Sequence, residues 1–321
     1  MLRRVNFWSE EREVPLLRLN YSFLPSAKIL ERIHDDIEDD LATNFVHERI
    51  IRLDAERIFL GSTQRTTLMN VLSCLRNEFG SYHQGMSYVA GFLLLTHSPS
   101  KVMETMRQLH RTVLVGYWTA EPVAFATDAY VFDHLLADHD PEIHEHLSKN
   151  YILPETYAQK WFTTLCVGVL PFEVLFLFFD TFLAESLLAS SNLFLFQFAL
   201  SLMRHIREGI LNTKSAAVIY GYLRLDTSLP LFNGKTNDLT MTIVQLAKDY
   251  DLSEYDFVLL RKRAFDEKLR ARLEAANRAH QENEENQASY VTSSDDDENE
   301  DETLSPTMKT LVSDMKQLRI E

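Results

Sequence analysis

Apolar positions recur along most of this chain at spacings of three and four, the period of a helix with one buried face. The clearest run is Leu68, Val71, Leu72, Leu75 and Phe79, and Gly80 is placed to end that helix as a C-cap. The stretch EFGSYHQGMSYVAGFLLL, residues 78–95, then becomes apolar on nearly every side. Met86, Val89, Ala90, Leu93 and Leu94 share one face, with Tyr88, Phe92 and Leu95 beside them. Such a helix belongs in a core. It nevertheless opens with an uncharged amide, Gln84, held between Tyr82 and Gly85, where a glutamine fills little core and makes a poor N-cap.

The same reading extends to the rest of the chain. Residues 26–48 predict one or two polar, acid-rich helices, followed by RIIRLDAERIF at 49–59, a polar linker, and the Leu68 helix at 66–79. Further helices are expected near 101–116, 127–138, 141–149 and 155–168, with Pro141 suited to a first turn. Pro171 opens a very apolar pair, 171–184 and 187–207, and two shorter helices follow at 213–226 and 237–250. Ser253 with Asp256 reads as a capping box starting a long charged helix at 251–281. Residues 282–303 are acid-rich and expected to be disordered. Residues 304–321 are expected to form a short amphipathic helix with Met308, Leu311, Val312, Met315 and Leu318 on one stripe.

Composition supports an all-α fold. Nine glycines and nine prolines in 321 residues are too few turns for a β-sandwich or barrel, and 45% hydrophobic residues can fill a large core. The uncharged run 186–203 is about long enough for a bilayer. Its four serines, asparagine and glutamine favour a buried helix instead. Cys74 and Cys166 lie in apolar helical patterns and read as buried thiols of a reducing compartment. The charged N-terminus has no apolar leader, which predicts a cytoplasmic protein. The net charge of −15 is concentrated at the end, with 12 acids and 3 bases in residues 281–321. No dense basic patch is present, so nucleic acid is not an expected partner. Ser293 and Ser294 each have an acid three residues on, suiting an acid-directed kinase.

Conventional self-contained chemistry is not legible. The chain has no GxxxxGK[ST] or GxGxxG loop, no GxSxG elbow and no HExxH pair. His134, His139, His144 and His146 crowd among acids, but Pro141 divides them between two helices, so no metal site is predicted. Two short elements remain. Ile51, Asp54 and Arg57 stand three apart and share a helix face, which alone reads as a surface ion pair. Tyr82-His-Gln84-Gly85-Met86 alone reads as a turn entering a core helix.

Together, IRLDAER, YHQGM and the later YAQKWFTTLCVGVLPFEVLFLFFDTFL resemble the TBC-domain family of Rab GTPase-activating proteins. That family carries IxxDxxR, then YxQ followed by glycine, then a Trp-Phe helix, a Leu-Pro turn with glutamate, and a helix with a central aspartate. Here the last landmark is Trp161, Phe162, Leu170, Pro171, Phe172, Glu173 and Asp180. Two departures are Ile58, where threonine is frequent, and a short opening region at 1–48. The likeness runs to about residue 250.

The resemblance implies an all-α, multi-helix domain over 1–250 that activates a GTP-bound Rab-family small GTPase. Arg57 and Gln84 would be its catalytic arginine and glutamine fingers, with Asp54, Tyr82 and Gly85 in support. Gly85 would leave room for the partner's backbone. The protein would hold no cofactor of its own, since GTP and Mg²⁺ belong to the partner. Membrane contact would be indirect, peripheral on endomembranes through that partner. The alternative is a non-catalytic scaffold of the same fold that binds a GTPase or another protein.

Overall fold

A computed structural model of the protein describes residues 37–232 and 236–279, and every regular element among them is helical. The chain divides into two units, residues 1–269 and 270–321. In the first, α1 spans Ile37–Ile58, α2 Ser62–Phe79, α3 Gln84–Leu93 and α4 Pro99–Gln108, the last continued by a π-helical turn over Leu109–Val113. Next come α5 at Val123–His139, α6 at Pro141–Lys149, α7 at Pro154–Phe162, α8 at Phe172–Ala189 and α9 at Leu193–Leu211. The series ends with α10 at Ala216–Leu223, α11 at Thr236–Leu246 and α12 at Phe257–Ala264 with a π-helical turn over Phe265–Leu269. In the second unit, residues 270–279 are described and are helical. The expected acidic segment and terminal helix lie outside the described residues.

The packing has two parts. In the first, α1 packs on α2 and α3, and α2 also meets α4. In the second, α5 and α9 form the centre, touched by α6, α7, α10, α11 and α12. Leu68, Val71, Leu72 and Leu75 bury the face of α2 that their spacing predicts, and Gly80 ends it at φ 75°, its N–H bonded to Arg76 O. A core of phenylalanines fills the second part. Phe178 meets Phe182, Phe194 and Phe198, while Phe132 is edge-on to Tyr157, Trp161 and Phe162. Each such side chain contributes about 1.5–3 kcal/mol when fully buried. Phe92 of α3 joins the two parts by packing on Phe176 and Phe179 of α8.

Several expected boundaries shift for identifiable reasons. α1 is one continuous helix through the IRLDAER stretch, and the linker to α2 shrinks to residues 59–61. The uncharged run 186–203 breaks at Ser190, which adopts φ 48°, so it serves the end of α8 and the start of α9. Among the described residues no helix is long and apolar enough to cross a membrane. Asp256, not Ser253, caps α12 by accepting from Val258 N and Leu259 N. The compact unit that holds these helices continues past residue 250. Residues 257–269 belong to the first unit, because α12 packs on α5 and Arg261 is buried there against Asp128. Of the two cysteines, Cys166 is buried and burial pushes its thiol pKa well up, but Cys74 is exposed on α2. The amphipathic pattern placed Cys74 on a helix correctly and on the wrong face.

Candidate functional site

The last turns of α1 put Ile51 and Ala55 into the core and, with them, the carboxylate of Asp54. Such a carboxylate needs donors, and it has three. Arg57 Nη1 donates to Oδ1 over 3.1 Å, Gln84 Nε2 donates to the same oxygen over 3.1 Å, and the Tyr82 hydroxyl donates to Oδ2 over 2.7 Å. The arginine and glutamine nitrogens are therefore at most twice 3.1 Å apart, although 27 positions separate them in sequence. Asp54 has a side-chain exposure of 3%, whereas Arg57 is 65% exposed and Gln84 is exposed. An exposed i,i+3 ion pair is worth only a few tenths of a kcal/mol. Here the anion is buried, and stripping a buried charge of its partners costs about 3–5 kcal/mol. Tyr82 is buried too, and burial followed by the Asp54 bond pushes its phenol pKa well up, so it stays a donor.

The turn that delivers Gln84 is held from below. His83, not Gln84, is the N-cap of α3: its Nδ1 accepts from Gly85 N over 3.0 Å. Burial lowers the His83 pKa, which favours the neutral ring that this cap requires. Ser81 Oγ donates to Trp118 O, and Trp118 Nε1 donates to Thr163 O over 2.9 Å. The same carbonyl fixes the role of Gly85. A Cβ there would stand 2.5 Å from Thr163 O, so this buried glycine admits the protein's own backbone and not a partner's. Gly91 does the equivalent for α1, since a Cβ would meet Ile58 Cγ2 at 2.8 Å. Glycine at 91 thus lets the end of α1 sit down on α3, which brings Arg57 to Gln84.

All five residues singled out from the sequence come together at this corner, three at the carboxylate of Asp54 and Gly85 under the turn. His83, Trp118 and Thr163 were not anticipated. A histidine two positions before Gly85 could have suggested a cap, whereas nothing local marks Trp118 or Thr163. The histidine group disperses: His144 faces Asp133, His146 Nε2 lies 2.7 Å from Thr213 O, and His139 sits edge-on to Tyr250. Among the described residues, no group of three or more His, Cys, Asp or Glu is placed to hold a metal ion.

Fold and site together define an all-α domain that displays a guanidinium and a carboxamide side by side at its surface. Residues 21–211 match the Rab-GTPase-TBC domain, more than half of the chain, which belongs to that family. TBC1 domain family member 4 of Mus musculus is 28% identical over 189 residues, covering 58% of this chain and 14% of that protein. Growth hormone-regulated TBC protein 1-A of Danio rerio is 28% identical over 185 residues, covering 56% and 48%. Carabin of Mus musculus is 31% identical over 137 residues, covering 43% and 30%. The chain thus spans less than half the length of each of these relatives. A crystal structure of the Chlamydomonas flagellar RabGAP TBC domain superposes with a TM-score of 0.49 and 18% identity, covering 62% of this chain and 67% of that one.

Proposed function

We propose that this domain accelerates GTP hydrolysis by a Rab-family small GTPase, with Arg57 and Gln84 supplied in trans. GTP and Mg²⁺ are then the partner's, and any membrane contact comes through that partner. The observation that carries the reading is the convergence of two exposed side chains, one cationic and one amide, on a single buried carboxylate. Hydrolysis passes through a loose transition state with charge spread over the γ-phosphoryl oxygens, so catalysis rests on positioning and electrostatics. A guanidinium offers that charge planar, paired donors. Such a group is worth about 10³–10⁵ in rate, or roughly 4–7 kcal/mol of barrier. An amide can accept from an attacking water through its carbonyl oxygen while its N–H₂ donates elsewhere. Asp54 keeps both side chains in register before a partner arrives, which lowers the cost of ordering them at docking.

The test is phosphate release from a panel of GTP-loaded Rab proteins. Wild-type protein should accelerate at least one, and Arg57→Ala and Gln84→Ala should each remove most of the acceleration while the domain stays folded by circular dichroism. Acceleration kept in both variants overturns the two-finger assignment. Tight binding of a Rab with unaltered hydrolysis marks the domain as a scaffold.

A further inference from the structure

Beside Arg57 and Gln84 the surface opens into an apolar groove of about 320 Å³. Its lining includes Ile58 and Phe59 at the end of α1, Phe92 on α3 with Leu95 just past it, and Leu170 and Phe172 where α8 begins. Phe172 is 54% exposed and Leu95 48%. Open apolar surface of this kind is ordinarily covered in the working assembly. The groove is pre-formed. Phe92 braces Phe172, Phe176 and Phe179 from beneath, and the opposite rim is a tight turn in which Leu165, Cys166 and Gly168 all have positive φ.

Resting on the function proposed above, we infer that this groove receives an apolar side chain from the nucleotide-binding face of the GTPase, and so governs which partner docks. Continuity is the first reason. Ile58 is the residue after Arg57, and Tyr88, which also lines the groove, stands one helical turn beyond Gln84. A specific protein interface covers about 800 Å² on each side, a disc of roughly 16 Å radius. A footprint of that radius centred on Arg57 is wide enough to reach Ile58 and Tyr88 in the groove. Charge is the second reason. Lys160 Nζ stands 5.1 Å from the centroid of the groove-lining Tyr88 ring, and Arg57 directly precedes the groove-lining Ile58, so cations neighbour the apolar lining at both residues. That arrangement suits a partner offering an apolar side chain next to phosphate or carboxylate. Filling a ready-made apolar pocket near an interface centre is the usual setting of a binding hot spot.

The experiment separates docking from chemistry on the Rab that wild-type protein activates most. Steady-state hydrolysis is measured for Phe172→Ser with Leu95→Ser, for each alone, and for Phe172→Leu, together with melting temperatures. The double variant should raise KM for the GTP-loaded Rab about tenfold or more with kcat changed less than about twofold, and Phe172→Leu should restore most of the loss. If Phe172→Ser lowers the melting temperature, Leu95→Ser alone carries the same KM reading. Unchanged KM in the folded variants, or a fall in kcat in its place, overturns the groove while leaving Arg57-dependent acceleration intact. Absence of any Rab activated or bound by wild-type protein removes the functional reading and the groove's occupant with it.

Discussion

Arg57 and Arg261 each meet an aspartate at hydrogen-bond distance, 3.1 Å to Asp54 and 2.6 Å to Asp128, yet their side chains are 65% and 6% exposed. The core pair is saturated. Arg261 spends Nε and Nη2 on the two oxygens of Asp128 and Nη2 also on Asn192 Oδ1, while Tyr117 and Asn192 donate to the same carboxylate. It pins α12 to α5 and to the joint between α8 and α9. In the surface pair only the anion is buried, and it is shared among Arg57, Gln84 and Tyr82. The same two chemical groups therefore make a staple in one place and an exposed, anchored display in the other. What differs is which partner faces water: a buried cation is committed, whereas an exposed cation on a buried anion is aimed but can still be borrowed.

The comparison can be broken by substituting each arginine in turn. Arg57→Lys keeps the charge but loses the planar fork. It should cost at least about a hundredfold of any hydrolysis acceleration, roughly 3 kcal/mol, with no change in melting temperature. Stability loss in that variant would mean Arg57 is a staple as well. Arg261→Ala should do the opposite, destabilising the domain by about 3–5 kcal/mol in urea unfolding by leaving Asp128 buried without its cation. The folded fraction should keep its kcat. A smaller effect sharpens the picture of the display. Tyr82→Phe removes one buried donor from Asp54 and should cost about 1–3 kcal/mol of stability, since Arg57 and Gln84 still hold Oδ1. An unchanged unfolding midpoint would show that the carboxylate finds a replacement donor in water.

Much of the site was readable from residue order. The IRLDAER and YHQGM stretches pointed to Arg57 and Gln84, and α1 and α3 carry them to one place. What the stretches could not reveal is the meeting point. Periodicity says that Asp54 and Arg57 share a face, but not that the face turns the carboxylate inward and leaves the guanidinium outside. Gly85 shows the same limit. A glycine after the glutamine signals a close approach, and only the position of Thr163 O shows that the approaching group is internal. Cys74 fell on the wrong side of its helix because apolar spacing fixes a stripe, not the width of the neighbour that covers it.

By itself, then, the sequence determined that this protein is built of helices, roughly where most of them lie along the chain, and that it carries landmarks resembling those of the TBC family. The helices follow from local rules, a 3.6-residue period, caps, and glycine or proline at ends, whereas the landmarks rest on a resemblance in residue order. Tertiary structure alone decided that one buried oxygen would bind both display residues, that α12 would be locked into the core through Arg261, and that an open apolar groove would lie beside Arg57. Each of these depends on groups tens of residues apart competing for the same buried space, and no local pattern encodes the outcome of that competition.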